Sequence, residues 1–293
     1  MRTILAGLLA ACSMTSFAAT LQNAEVTVAV NRVLISPSGG ALRDAAVGDT
    51  LGGAGRLETG TSSRAELIFN DRSIARLGAN SVFAFTRGTR QLELNQGVIF
   101  LQVPKGAGGA TIQTAAVTAA ITGTTIAIEY SPAGANGPGA IKVFVLEGTL
   151  RVYLKSRPGE SLLLEPGQMI FLEPDATSLP EPQVFDIARL VATSGLLGGQ
   201  FPPLPSMPEI EENIAEQDRL KINGTLVISN YVLHAELPGG AADFLNQVRD
   251  RTLQSQVVQT PPAPPVVRED PPPPPPTPPP TPPPAPKPSP LPD

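Results

Sequence analysis

Residue types that carry acid–base, nucleophilic or metal chemistry are scarce in this sequence, and their spacing suits none of it. The 293 residues hold one histidine, His234, and one cysteine, Cys12. A serine–histidine–aspartate system would have to use His234, which lies beside Leu233 and near Tyr231, and no Gly-x-Ser-x-Gly turn presents a serine to it. Zinc wants several His or Cys ligands, and calcium wants an Asp-x-Asp-x-Asp-Gly loop; neither pattern occurs. The glycine-rich stretches 106–109 and 134–139 lack the Lys-Ser/Thr of a phosphate cradle, so they read as hairpin tips. No metal, catalytic or cofactor-binding residue is assigned, and no cofactor is implied. Carboxylates remain. Glu93, Glu129, Glu147, Glu165 and Glu173 fall at or near the ends of strand-like runs, and two facing carboxylates can hydrolyse a glycoside. With ten Phe, three Tyr and no Trp, the chain has little to stack on a sugar. These glutamates are better read as the polar, outward half of alternating strands. The expectation is a protein that is not an enzyme.

The elements that would position any site follow from composition. Of the 34 prolines, 20 lie after Thr260, so residues 261–293 are expected to form an extended, disordered proline-rich tail. Burial elsewhere must rely on Val, Ile, Leu and Ala, the usage expected of many short strands. Net charge is −5 and the basic residues are scattered, so the positive stripe that nucleic-acid binding needs is missing.

Residues 1–18 read as a secretory signal. Arg2 supplies the positive end, residues 4–11 the apolar run, and Ser16-Phe17-Ala18 the small residues of a cleavage site. A second reading competes: Leu9-Ala10-Ala11-Cys12 resembles a lipobox, with Cys12 the site of lipidation. Cleavage after Ala18 is preferred because the segment before Cys12 is short. Either way the protein is expected outside the cytoplasm, in the periplasm or at the cell surface, touching the membrane only through a lipid on Cys12. No intramolecular disulfide is expected.

Residues 26–172 show short alternating apolar runs punctuated by Gly, Asn, Asp and Pro. Ala65-Glu66-Leu67-Ile68-Phe69 reads as a strand, Asn70-Asp71 as a turn, and Ser73-Ile74-Ala75-Arg76-Leu77 as the next strand. Three places share one unit: a strand end, two turn residues, a glycine and a new strand. They are Leu94-Asn95-Gln96-Gly97, Val145-Leu146-Glu147-Gly148 and Leu164-Glu165-Pro166-Gly167. Glycine there supplies a positive φ, and the series predicts serial hairpins or solenoid-like coils. Residues 184–191 and 208–220 have helical spacing, as do residues 241–256, with a strand over 225–228 between them. Residues 181–259 are therefore expected to be a mainly helical appendage, or segments lying on the β module.

In series these residues resemble the FecR domain. The resemblance rests on Gly48-Asp49-Thr50-Leu51, on Thr59-Gly60-Thr61-Ser62-Ser63-Arg64-Ala65-Glu66-Leu67, and on Phe69-Asn70-Asp71-Arg72-Ser73. It continues through residues 94–97, Ala120-Ile121-Thr122-Gly123-Thr124-Thr125-Ile126 and residues 143–152, and ends in Pro166-Gly167-Gln168. It implies an all-β module, a β-sandwich or β-solenoid-like body of serial short strands, that senses or transmits by protein contact outside the cytoplasm. In the namesake regulators the module follows a cytoplasmic anti-sigma segment and a membrane helix. Here the β pattern begins directly after the export signal, which favours a stand-alone exported module. The expected function is non-catalytic binding of an envelope protein or a cell-wall polymer. The alternative is a signalling component that relays a surface signal to a membrane or sigma-factor regulator; a carboxylate-dependent glycoside hydrolase is a distant third.

Overall fold

Period-two alternation places one set of side chains on each face of a strand, and the folded chain uses both faces. The computed structural model describes residues 20–134 and 137–223. The segment expected to be an export signal, with Cys12, the strand expected over 225–228, His234, the helix expected over 241–256 and the proline-rich stretch lie outside the described residues. The first eight strands are β1 (Ala24–Val30), β2 (Val33–Ser36), β3 (Arg43–Asp44), β4 (Thr50–Leu51), β5 (Arg56–Thr59), β6 (Arg64–Phe69), β7 (Ile74–Leu77) and β8 (Val82–Thr86). The twelve-residue β9 (Gln91–Gln102) follows. Then come β10 (Ala110–Gln113), β11 (Val117–Ile121), β12 (Thr125–Ser131), β13 (Ala140–Glu147), β14 (Leu150–Leu154), β15 (Arg157–Leu164), β16 (Gln168–Leu172) and β17 (Gln183–Val184). Two helices, α1 (Ile187–Thr193) and α2 (Met207–Ile222), complete the described chain. It is an all-β body with a short helical segment.

Pairing sorts the strands into two sheets that share β9. One runs β4, β1, β6, β7, the second half of β9, β12, β13, β16, β17. The other runs β3, β2, β5, β8, the first half of β9, β10, β11, β14, β15. Every neighbour is antiparallel except β9 with β10. The sheets face each other across one core, where Leu67, Leu77, Ile99, Ile128 and Val143 of the first meet Leu57, Phe83, Leu94, Val117 and Val152 of the second. The body is a sandwich.

The outer face of the first sheet is also buried. Along β13, Ile141, Val143 and Val145 point into the shared core, while Phe144 and Leu146 belong to a second cluster. That cluster is closed by Phe185, Ile187, Leu190, Leu196, Phe201 and Leu204 from the segment carrying α1 and α2. We call this the capped sheet. On the other, bare sheet, Gln91, Glu93 and Arg151 stay exposed. Helix α1 starts at Asp186, whose carboxylate accepts from the Arg189 N–H at 2.9 Å, the usual use of Asp at an N-cap. Helix α2 has Pro208 in its first turn with Glu209, and Arg219 and Lys221 in its last, each complementing the helix dipole.

The three recurring glycine units are not hairpins. At Gly148 the chain leaves β13 in the capped sheet for β14 in the bare one, and at Gly167 it returns from β15 to β16. At Gly97 there is no break at all: β9 continues through it, pairing with β8 before and β12 after. A hairpin and a sheet-changing bend ask for the same left-handed residue, and Gly97 (φ 94°), Gly148 (77°) and Gly167 (81°) all supply it. Local sequence reports that need; which strand lies alongside is decided by the core.

At Gly97 the bend brings Ser81 so close that an added Cβ would overlap it, while the Ser81 hydroxyl accepts from the Val98 N–H at 3.0 Å. Gly97→Ala is therefore expected to lose about 3 kcal/mol, from the left-handed backbone and the overlap together. Gly106, also left-handed (φ 84°) but with open space around it, should lose only about 1 kcal/mol on the same change. Urea unfolding of the two variants measures the difference.

Candidate functional site: the charged face of the capped sheet

The register of the hairpins brings opposite charges together. Asn70-Asp71 turns β6 into β7, and the pairing that follows puts Glu66 directly opposite Arg76. Their row continues across the sheet through Phe100, Ala127, Phe144 and Met169. One row over, Glu129 on β12 stands opposite Lys142 on β13, flanked by Val98 and Phe171. All four charged residues are at most 3% exposed. Charges in an apolar layer stay ionised only when paired and hydrogen-bonded.

These conditions are met. Arg76 Nε donates to Glu66 Oε2 at 2.7 Å, and Thr27 donates to Glu66 Oε1 at 2.7 Å. The rest of the guanidinium reaches the covering segment: it donates to the carbonyls of Leu196 (2.9 Å) and Pro202, and lies 4.9 Å from the Phe201 ring centre. Burial pulls the Arg76 pKa below its usual value, with Glu66 opposing; guanidinium is basic enough to stay charged regardless. Lys142 Nζ is 3.0 Å from Glu129 Oε2. Burial lowers the Lys142 pKa, and Glu129 pulls the other way.

The glutamates singled out in the sequence are dispersed. Glu129 and Glu147 sit on the outward half of their strands as expected, yet they are 3% and 5% exposed because the C-terminal segment covers that face. Glu147 holds Lys105 at 3.0 Å. Glu93 points from the bare sheet, on the opposite side of the sandwich. Glu165 occupies the corner before β16, and Glu173 follows that strand. No two of these five stand opposite one another across neighbouring strands. Among the described residues, no group of three or more His, Cys, Asp or Glu side chains is placed to hold a metal, and no helix is long and apolar enough to cross a membrane. Glu66, Arg76 and Lys142 were missed as a buried set. A signal for the first pair was available, since both residues stand five positions from Asp71 and a tight turn there places them face to face.

The polar motif residues hold corners. Asp49 accepts from the Ala46 N–H (2.7 Å) and from both terminal nitrogens of Arg43 (2.7 and 2.8 Å). Asp71 accepts from the Ser73 N–H and hydroxyl, both at 2.9 Å, and pairs with Arg90, whose Nε donates to the Gly109 carbonyl. Asn70 accepts from the Gln22 N–H (2.8 Å) and donates to the Thr20 carbonyl (3.1 Å). These side chains replace main-chain partners where strands end.

Fold and site together define a two-sheet β module whose buried charges are paired with one another and with main chain. Residues 55–151 match the family described as FecR protein. The match runs from the start of β5 into β14, a narrower span than residues 26–172. Two crystal structures described as a "putative anti-sigma factor from Parabacteroides distasonis" are similar at 14% and 16% identity; each comparison covers 67% of this chain and 91% of that one, with a TM-score of 0.40. No curated protein matches the chain.

Two outcomes are expected. Arg76→Met strands a buried carboxylate and two carbonyls, and should lower stability by about 3–5 kcal/mol; Glu66→Leu combined with Arg76→Met should recover part of that loss in urea unfolding. Arg43 and the Ala46 N–H hold the Asp49 pKa at about 2, below its ordinary 3.8. A carboxylate with a depressed folded pKa stabilises above its unfolded value and stops doing so as pH falls through the folded one. Wild type should therefore melt above Asp49→Asn at pH 7, and the gap should close between about pH 4 and pH 2.

Proposed function

We propose that the chain is a non-catalytic regulatory module of the bacterial envelope, exported and acting by surface contact with a partner protein. The observation that carries this reading is the FecR match over residues 55–151, which spans strands of both sheets. The disposition of charge supports it. Acids and bases in the interior are neutralised against each other or against main chain, an arrangement that holds a surface in shape. The export signal and the proline-rich tail fit a protein that reaches a partner outside the cytoplasm.

The surface best suited to contact is the bare sheet. One register row crosses it as Ala84, Glu93, Gln113, Thr118, Tyr153 and Ser161. Such a row offers hydrogen-bonding groups on a rigid plane, which costs little ordering when a partner binds. The bare sheet also ends in β15, an eight-residue edge strand whose one strand neighbour among the described residues is β14. The three other edges, β3, β4 and β17, are two residues long, the usual guard against unwanted pairing.

Photo-crosslinking amino acids at Gln91, Gln113 and Tyr153, introduced one at a time in intact cells, test the reading. A shared envelope protein captured from all three, with the adduct in the extracytoplasmic fraction, is the expected result. Retention of the chain in the cytoplasm, or hydrolysis of a wall glycan by the purified protein, would overturn it.

A further inference from the structure

Two kinds of contact cover the capped sheet. Phe185, Ile187, Leu190, Leu196, Phe201 and Leu204 are fully or nearly fully buried, and Arg76 fastens their segment through two carbonyls. They form a second core. Helix α2 is held differently. Of its sixteen residues only Ile210 and Gln217 are buried, and Glu211, Glu212, Glu216 and Asp218 face solvent.

Ile210 joins the second core, with Met207 and Ile214 packed beside it, and a set of polar contacts lines the same helix. The Gln217 side-chain amide donates to the Phe185 carbonyl at 2.9 Å and accepts from the Ile187 N–H at 3.1 Å. Pairing with a carbonyl and with the N–H two residues on is what an adjacent strand does. Gly167 leaves room for this amide, since an added Cβ would overlap Gln217 Nε2. Asn213 donates to the Leu146 carbonyl at 3.0 Å, and Lys221 to Asp186 at 3.2 Å. The Ser206 hydroxyl at the helix start lies 2.7 Å from that of Thr125. Gln102, the cross-strand partner of Thr125, has a buried side-chain oxygen with no donor among the described residues. Ile210, Asn213 and Gln217 stand at i, i+3 and i+7, so a single helical face makes the contact.

We infer that α2 is an internal plug in a helix-docking groove floored by Leu146, Gly167, Phe185 and Ile187. The groove accepts in its place an amphipathic helix of a partner protein, one with an aliphatic residue followed by amides three and seven positions on. Lifting α2 withdraws Ile210, with the partly buried Met207 and Ile214 beside it, from the apolar floor of the groove, and the polar groups it leaves behind can be met by water. Opening is therefore local and does not require the sandwich to unfold. The chain runs on from residue 223 to residue 293, so a partner engaging that stretch acts on α2 first. This rests on the reading of a contact-based module but concerns the opposite side of the sandwich from the bare sheet, so each can fail alone.

Native-state hydrogen exchange on the full-length protein is the first arm of the test. Amides of α2 should open on the order of 100-fold more often than those of β12 and β13. The second arm is a labelled synthetic peptide spanning residues 206–223, titrated onto wild type and onto Asn213→Ala combined with Gln217→Ala. The weakened plug should let the peptide bind the variant at least about 10-fold more tightly than wild type, and a peptide carrying Gln217→Ala should lose that gain. Exchange in α2 as slow as in β12 and β13 would make the helix an integral part of the fold and sink the plug. Fast exchange with no peptide binding to either protein would sink the groove.

Discussion

Strand β9 sits fifth of nine in both sheets, and the fold depends on its bend. Its first half is paired with β8 and β10, its second with β7 and β12. The four strands on one side of it in each sheet come from residues before it, and the four on the other side from residues after it. The two halves of the chain are therefore joined by continuous backbone and by hydrogen bonds on both flanks of one strand. A single left-handed residue at Gly97 makes this geometry available, because the backbone can turn from one sheet plane to the next without ending the strand.

Sharing a central strand has a further effect on the capped sheet. Residues that alternate along β6, β7, β12 and β13 must face outward somewhere, and in a sandwich that face normally meets water. Here it meets the segment from Phe185 onward. The sheet consequently carries both Phe144, 5.1 Å from Phe185 in an edge-to-face contact, and two buried ion pairs. Ion pairs in such a place give little net stability against apolar replacements. What Arg76 adds is direction: it bonds a carboxylate on the sheet and two carbonyls in the covering segment, and so sets where that segment lies.

Much of the site was hidden in the sequence for a physical reason. Glu66 and Glu129 have the polar alternation of solvent-facing strand positions, and nothing local distinguishes a face open to water from one covered by a segment over fifty residues further on. The motif residues were easier to recognise than to interpret. Asn70 and Asp71 stand out as turn chemistry, and they do hold a turn, but their partners Gln22 and Arg90 come from pairings that only the closed sandwich creates.

The sequence by itself determined that residues 26–172 would be built from short strands, where the chain needed left-handed bends, and that helices would form around residues 184–191 and 208–220. These are properties of short stretches: alternation, glycine, capping and charge near helix ends all act within a few residues. Only the tertiary structure decided that the glycine bends change sheets, that β9 runs unbroken through one of them, and that the helices close over one face of the sandwich. Those outcomes depend on which distant apolar faces bury one another, a choice made by the whole core at once.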